Sequence, residues 1–176
     1  MNIVLFGPPA AGKGTQAENL VRGFDFFKIS TGDLLRAEAN KLSSLGNKIK
    51  SIIDQGLFVS DDLINPLIKN ILSDKKYFNR LIFDGYPRNI NQAKHLDVLI
   101  KKYNQKISCA LCLRVDQDVI IKRIIGRQVC SRCELTFNEF FNPATKENHN
   151  CGSNFLQKRS DDNKKAIKSR FNAYIK

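Results

Sequence analysis

A glycine-rich segment near the amino terminus has the residue types and spacing of a phosphate-binding loop. An apolar run at residues 3–6 leads directly into GPPAAGKGT at residues 7–15. Glycines let backbone N–H groups approach phosphate oxygens, a helix starting here adds its own N–H groups, and Lys13 can reach across the phosphates. Gly14 stands where the common motif has Ser or Thr, and Thr15 follows one position later. The segment predicts a nucleotide-phosphate site between a strand and a helix.

A carboxylate follows a second apolar run. Asp84 comes directly after Leu81–Phe83 and begins the sequence Asp-Gly-Tyr-Pro-Arg. Open α/β sheets bind ligands at the carboxyl ends of their strands, and a carboxylate there can hold Mg²⁺ through water molecules. An ordinary turn aspartate is the alternative. We interpret Asp84 as a magnesium-binding residue because it shares this strand-end context with the glycine loop.

The five cysteines include two pairs with C-x-x-C spacing. Cys109 and Cys112 lie in an apolar strand, where residues three apart point to opposite faces, so we expect both to be core residues. Cys130 and Cys133 lie in a polar turn, and Cys151 follows 18 residues after the second of them. A chain without an export signal is more consistent with free thiols or a metal site than with disulfides.

The fourth ligand of a metal site at these cysteines has two candidates. The residue three positions before Cys151 is Asn148, which is a poor zinc ligand, and the next residue is His149. Three thiolates and one imidazole would form a closed tetrahedral zinc site. The alternative is a metal-free segment with three free thiols. His95 has no neighbouring ligand residues in the sequence, and we expect it to be a surface or core histidine.

The elements that position these residues form an alternating pattern. Short apolar runs predict strands at Ile3–Phe6, Phe26–Ile29, Leu81–Phe83 and Cys109–Val115. Helical patterns follow Gly12 and Thr31 and begin near Ser60, Asn89 and Asp116. Apolar strands alternating with helices indicate an α/β fold with a parallel sheet covered on both faces. Residues 128–158 break the alternation and predict a small β-rich insert, after which Ser160 is a candidate N-cap for a final helix.

The composition limits the class of protein. A length of 176 residues fits about one domain with a small insert. No apolar run approaches the roughly 20 residues that span a bilayer, and the amino terminus lacks a signal-peptide core, so we expect a soluble cytoplasmic protein. The 29 basic and 17 acidic residues give a net charge of +12, which favours anionic partners. The lysines are dispersed, which favours a solvated surface over a nucleic-acid site.

The loop GPPAAGKGTQ resembles that of adenylate kinases, and later segments resemble the same family in the same order. These segments are STGDLLR at 30–36, GLFVSDDLI at 56–64, FDGYPRNINQA at 83–93, IKRIIGRQVC at 121–130, KRSDDN at 158–163 and the arginine at 170. The resemblance implies a parallel sheet of the P-loop NTPase type flanked by helices. It also implies a CORE at 1–29, 60–121 and 160–176, a helical AMP-binding insert at 30–59 and a small β-rich LID at 122–159.

The sequence departs from the family pattern in two places. Ala10 stands where the family usually has glycine, and a positive φ there would make its Cβ cost about 1–2 kcal/mol. The family usually continues through a further strand and a final helix, whereas this sequence ends at Lys176. The cysteines resemble the lid of the zinc-bearing members, which implies structural zinc on Cys130, Cys133, His149 and Cys151.

The resemblance also implies roles for individual residues. The ATP-binding residues would be Gly7, Gly12, Lys13, Gly14, Thr15, Arg123 and Arg127. The residues acting on the transferred phosphoryl group would be Lys13, Arg88, Arg123, Arg159 and Arg170. The AMP-binding residues would be Thr31, Arg36, Val59, Gly85, Arg88 and Gln92.

Two of these assignments also have a physical argument. Arg123 and Arg127 are four residues apart, which would place them on one face of a helix as a two-arginine clamp. Gln92 carries both a donor and an acceptor, so its amide can pair with the edge of adenine.

The function implied is MgATP + AMP ⇌ 2 ADP, catalysed by a monomer with Mg²⁺ as cofactor and with ATP, AMP and ADP as partners. One alternative is a kinase for UMP or CMP, although such relatives tend to have short lids without cysteines. The other alternative is a nucleotide-binding or nucleic-acid-binding remnant with little activity, which the net charge of +12 suggests.

Overall fold

The chain forms two compact units, which we describe separately. The computed structural model describes residues 1–41, 43–55, 57, 59–159, 162, 169, 171, 172 and 174. The first unit comprises Met1–Gly7, Gly12–Ile53 and Phe58–Leu113, and the second comprises Pro8–Ala11, Asp54–Leu57 and Arg114–Lys176.

A parallel sheet of four strands forms the centre of the first unit. Its strands are β1 (Asn2–Phe6), β2 (Phe27–Ser30), β3 (Leu81–Asp84) and β4 (Ile107–Cys112), in the order β2-β3-β1-β4. All three pairings are parallel, so the carboxyl ends of β1 and β3 lie side by side, with Leu5 opposite Asp84. The predicted α/β fold with a parallel sheet is confirmed.

Helices connect these strands and begin close to the predicted positions. They are α1 (Lys13–Phe24), α2 (Thr31–Ala39), α3 (Ser44–Asp54), α4 (Asp61–Ser73) and α5 (Ile90–Lys102), with α6 (Gln117–Ile125) in the second unit. Asn89 starts α5 by accepting a hydrogen bond from the Gln92 backbone N–H at 2.7 Å. The sequence patterns above do not predict α3 as a separate helix. Its Ile49 and Ile53 are four residues apart and buried, which is helical spacing.

The sheet is covered on both faces, as a near-continuous apolar strand requires. Leu81, Ile82 and Phe83 of β3 are fully buried. Leu81 and Phe83 pack into one hydrophobic cluster, whereas Ile82 packs with Ile3 and Ala17 into another. Because successive strand residues point to opposite faces, these two clusters are the two sides of the sheet.

Strand β4 corrects two predictions. It spans Ile107–Cys112 instead of Cys109–Val115, and it is one of the two edge strands of the sheet among the described residues. Cys112 is exposed and Cys109 is half-buried against the Ile3 cluster, so the prediction that both are core residues is wrong. An apolar run does not reveal from sequence which strand has a neighbour on only one side.

A small antiparallel sheet organises the second unit, as the predicted β-rich insert requires. Its strands are β5 (Arg127–Cys130), β6 (Thr136–Asn138) and β7 (Leu156–Gln157), in the order β6-β5-β7. Residues 169, 171, 172 and 174 are helical, and the predicted N-cap Ser160 lies outside the described residues. Within the described part of the chain, no helix has the length and apolar character needed to cross a membrane.

Candidate functional site

The glycine loop connects β1 to α1 as predicted. Gly7 and Gly12 have φ angles of 146° and 98°. Gly12 precedes the helix and has no side chain that could cap it, so the first N–H groups of α1 are suited to hold an anion. The Lys13 ammonium group donates to the Gly7 carbonyl at 2.9 Å. Gly14 and Thr15 occupy the first turn of the helix.

Ala10, which stands where the family usually has glycine, adopts the strained backbone considered for it above. Its φ angle is 58°, in the left-handed region where a Cβ costs about 1–2 kcal/mol. The free energy of folding therefore contains an unfavourable contribution that glycine would not have at this position.

Replacing Ala10 by glycine should stabilise the protein. Removing the strain contributes more than the added flexibility of the unfolded chain costs, so we expect a net gain of about 0.5–1 kcal/mol. Ala37→Gly in helix α2 is the matched control, and it should destabilise by about 1 kcal/mol. Urea unfolding measures both effects, and a loss of stability in the Ala10 variant would show that the loop does not strain this residue.

Asp84 lies at the end of β3 beside the start of α1. A Cβ built on Gly14 would lie 3.4 Å from its Oδ2 atom. Burial raises the pKa of the Asp84 carboxyl, the charges of Lys13, Lys28 and Arg88 oppose that rise, and Asp33 adds to it. A carboxylate beside the loop lysine is a donor suited to water-mediated Mg²⁺ binding, so the residues present fit that ion.

Charged neighbours of Asp84 that the sequence patterns do not assign lie on β2 and α2. Lys28 pairs with Glu18, and its Nζ atom lies 3.9 Å from Oδ2 of Asp33. Asp33 also pairs with the predicted AMP ligand Arg36, three residues later on the same helix. The signal that could have indicated this cluster is the position of Lys28 in β2, two residues before the STGD segment.

The segment after β3 brings several predicted AMP ligands together. The buried Thr31 hydroxyl donates to the Gly85 carbonyl at 2.9 Å, and the Arg88 Nε atom donates to the same carbonyl at 2.7 Å. A Cβ built on Gly85, whose φ is 80°, would lie 3.0 Å from an Arg88 nitrogen and 3.1 Å from the Thr31 hydroxyl. Glycine is therefore the residue that allows this approach.

Two further predicted AMP ligands, Gln92 and Val59, are buried. Gln92 lies on α5, and Val59 lies in the main core cluster. The Gln92 Oε1 atom accepts from the Arg88 backbone N–H at 2.7 Å, and its Nε2 atom donates to Asp61 at 2.6 Å. The predictions above do not include the contact with Asp61.

The predicted arginine clamp of the second unit is wrong in its geometry. Arg123 lies on α6, but Arg127 is the first residue of β5, so the two do not share a helix face. The helix ends because Gly126 follows it and the Asn138 side chain donates to the Arg123 carbonyl at 2.7 Å. A Cβ on Gly126 would lie 2.6 Å from Phe140, so a larger residue would not fit there.

The arginines of the second unit have individual surroundings. Arg123 donates to the Ala11 carbonyl at 3.1 Å and lies over the Phe141 ring at 5.6 Å. Arg127 forms a two-pronged ion pair with the buried Asp162 carboxylate, with Nε at 2.8 Å. Arg159 is half-buried, and Arg170 lies outside the described residues.

Cys130, Cys133, His149 and Cys151 form one cluster. Their ligand atoms all lie within 4.8 Å of one another. The Sγ atom of Cys130 accepts backbone N–H groups from Arg132 and Cys133, both at 3.4 Å. The geometry places the predicted set together, and tetrahedral metal coordination is what such a set provides.

The choice between the two candidate fourth ligands is clear. His149 is 7% exposed, packs on Phe137 at 4.9 Å, and its buried Nε2 atom has no hydrogen-bond partner among the described residues. Asn148 is exposed, and its side chain instead accepts from the Thr145 backbone N–H and donates to the Pro143 carbonyl. A metal would satisfy the buried imidazole nitrogen, so the residues fit a Cys₃His site.

The thiols of the cluster differ in acidity. Burial raises the pKa of the Cys130 thiol, but the backbone N–H of Cys133, the nearby His149 imidazole and the backbone N–H of Arg132 outweigh it and lower the pKa to about 6. Burial and the neighbouring Cys133 and Cys130 raise the pKa of Cys151 to about 11. Metal coordination requires thiolates, so Cys151 must lose a proton to bind.

Comparison with known proteins identifies the family of this chain. A family model described as adenylate kinase matches residues 5–176. Adenylate kinase of Pelagibacter ubique is 48% identical over 99% of this chain and 82% of the relative. Those of Methanosarcina barkeri and Enterococcus faecalis are 42% and 38% identical, over 100% and 97% of this chain and 82% and 80% of the relatives. The chain belongs to the adenylate kinase family.

Proposed function

We propose that this chain catalyses reversible phosphoryl transfer from MgATP to AMP, yielding two molecules of ADP. One observation carries the proposal. The glycine loop follows β1 and the Gly85–Gln92 segment follows β3, and these strands are adjacent and parallel. The phosphate-binding loop and the segment proposed to bind the base therefore both begin at the carboxyl ends of the strands, as a reaction between two nucleotides requires.

The residues that bind each nucleotide remain proposals. We assign ATP binding to Gly7, Gly12, Lys13, Gly14, Thr15, Arg123 and Arg127. We assign AMP binding to Thr31, Arg36, Val59, Gly85, Arg88 and Gln92. The positive charges acting on the transferred group would be Lys13, Arg88, Arg123, Arg159 and Arg170. The division into CORE, AMP-binding insert and LID at the boundaries given above is part of the same proposal.

The chemistry of these residues is positioning and charge neutralisation. Phosphoryl transfer needs donor and acceptor oxygens in line and their negative charges neutralised. Lys13 and the N–H groups of α1 hold the donor phosphates, and Arg88 holds a phosphate at the acceptor side. No general base is needed because the accepting oxygen belongs to a phosphate that is already an anion.

Two metals fit the proposal in different roles. Asp84 would hold Mg²⁺ through water, and that ion would neutralise charge on the donor phosphates. Cys130, Cys133, His149 and Cys151 would hold a structural zinc ion in the second unit. We further propose a monomeric cytoplasmic enzyme.

AMP should be the preferred acceptor. At a fixed concentration of MgATP, we expect kcat/KM for AMP to exceed the values for UMP, CMP and GMP by about tenfold or more, because Thr31 and Gln92 supply hydrogen bonds suited to adenine. Initial rates with each nucleotide measure this preference. Comparable values for UMP or CMP would instead favour a pyrimidine monophosphate kinase, and salt-sensitive nucleic-acid binding without turnover would favour the remnant interpretation.

A further inference from the structure

The side chain of Gln92 is held from both ends of its amide group. The side chain is buried, with the residue 3% exposed. Its Oε1 atom accepts from the Arg88 backbone N–H at 2.7 Å. Its Nε2 atom donates to Oδ1 of Asp61 at 2.6 Å. Both partners belong to the first unit, one just before α5 and the other in the first turn of α4.

The chemistry of the two partners fixes which way the amide faces. A backbone N–H can only donate, and an ionised carboxylate can only accept. The negative charge of Asp61 is favoured by its place in the first turn of α4 and by the Asn89 amide, which lies 3.5 Å from both carboxylate oxygens. The oxygen of Gln92 therefore faces Arg88, and the nitrogen faces Asp61.

The neighbouring Tyr86 has a hydrogen-bond partner other than Asp61. Burial and the negative charge of Asp61 raise the pKa of Tyr86 to about 12. The phenol stays protonated at neutral pH and donates to Asn65 at 3.1 Å. Because the single phenol proton is donated to Asn65, Tyr86 does not compete with Gln92 for the Asp61 carboxylate.

A fixed amide reads purine edges differently from one that can turn over. An amide oxygen can accept two hydrogen bonds and an amide nitrogen can donate two, so each atom of Gln92 has capacity for one more. Adenine presents a donor at its 6-amino group beside an acceptor at N1. Hypoxanthine presents the reverse order, an acceptor at O6 beside a donor at N1. An amide that could flip would pair with either base, whereas a fixed amide matches only one order.

We propose that Asp61 is a positioning residue that sets the acceptor specificity by holding the Gln92 amide in the adenine-reading orientation. The inference rests on the proposed function, in which AMP is the acceptor, and it assigns the discrimination to a residue that does not itself touch the base. Asp61 acts through its 2.6 Å hydrogen bond to Gln92.

The test compares AMP with IMP, whose base differs from adenine in the order of donor and acceptor. Asparagine at position 61 can either accept or donate, so in Asp61→Asn position 61 no longer requires the Gln92 nitrogen to face it. We expect the ratio of kcat/KM for AMP to that for IMP to fall about tenfold, with KM for MgATP unchanged. Asp62→Asn, an exposed carboxylate in the same helical turn, is the matched control and should keep the wild-type ratio.

The outcomes separate this inference from the proposed function. A wild-type protein that does not phosphorylate AMP overturns the proposed function itself, whereas one that uses IMP as well as AMP overturns the fixed orientation of Gln92. A wild-type preference for AMP that persists unchanged in folded Asp61→Asn overturns the role of Asp61 alone. Thermal unfolding checks the fold of each variant, and Asp61→Ser, whose hydroxyl also donates and accepts, replaces Asp61→Asn if that variant fails to fold. The inference is supported if the ratio of kcat/KM for AMP to that for IMP falls in the Asp61 variant and stays unchanged in Asp62→Asn.

Discussion

Lys13→Ala should lower the rate of phosphoryl transfer by about 10²–10⁴-fold. Lys13 is the first residue of α1, and its ammonium group donates to the Gly7 carbonyl. The charge therefore lies within the loop that we propose holds the donor phosphates. Removing a positioned charge from a phosphoryl-transfer site costs several kcal/mol of transition-state stabilisation. A coupled assay for ADP formation measures the loss, and Arg88→Ala should lose activity on a similar scale.

A second lysine provides the control for this substitution. Lys48 is exposed on α3 and has no proposed role, so Lys48→Ala removes the same charge from the chain with rates expected to stay near wild type. Circular dichroism and thermal unfolding should show that both variants are folded. Near-normal turnover in folded Lys13→Ala would refute the assignment of the loop.

Removing the metal should unfold the small sheet of the second unit. The sheet has strands of only two to four residues, and the buried residues in and around it include Cys130 and His149, which belong to the proposed site. Such a segment has little core of its own, and structural zinc supplies apparent free energies of about 10–16 kcal/mol in comparable small sites. Elemental analysis should find about one zinc ion per chain, and a chelator should lower the Tm.

The histidine and its neighbour form a matched pair for the same prediction. His149→Ala removes the imidazole from the cluster, and we expect zinc affinity to fall at least about a hundredfold. Asn148→Ala removes only two hydrogen bonds of a turn and should leave zinc affinity nearly unchanged. The opposite ranking, or a zinc-free protein whose Tm is insensitive to chelator, would mean that packing alone holds this segment.

Zinc binding should also release protons at neutral pH. The pKa of Cys151, about 11, means that its thiol is protonated near pH 7 before the metal arrives. Coordination requires the thiolate, so at least about one proton leaves on binding, and affinity should weaken as the pH falls. Calorimetry in buffers of different ionisation enthalpy measures the number released. A heat of binding that is the same in every buffer would contradict a Cys151 ligand.

The strand–loop–helix unit and the cluster of three cysteines and His149 could be predicted because their signals are local. The glycine spacing around Lys13 predicts a tight loop between a strand and a helix. The structure has this loop between β1 and α1, with positive φ angles at Gly7 and Gly12. Cys130, Cys133 and Cys151 are brought together by short strands close in sequence. The exposure of Cys112 depends instead on which strand lies at the sheet edge, and no local pattern contains that information.

The sequence patterns do not predict contacts between residues that are far apart along the chain. The pair of Asp61 and Gln92 joins the starts of two helices that are 31 residues apart along the chain. The place of Arg127 in a strand follows from the helix stop at Gly126, which depends on Asn138 and Phe140 from a later turn. An i, i+4 spacing indicates a shared helix face only if the helix continues through both residues.

Transfer of a labelled phosphoryl group tests the central claim most directly. The purified chain is incubated with Mg²⁺, AMP and ATP labelled at the γ-phosphate, and the products are separated. Direct transfer predicts that the label appears in the β-phosphate of newly formed ADP, with two ADP formed for each ATP consumed. Label found only in inorganic phosphate, or no ADP formed from AMP, would contradict the account.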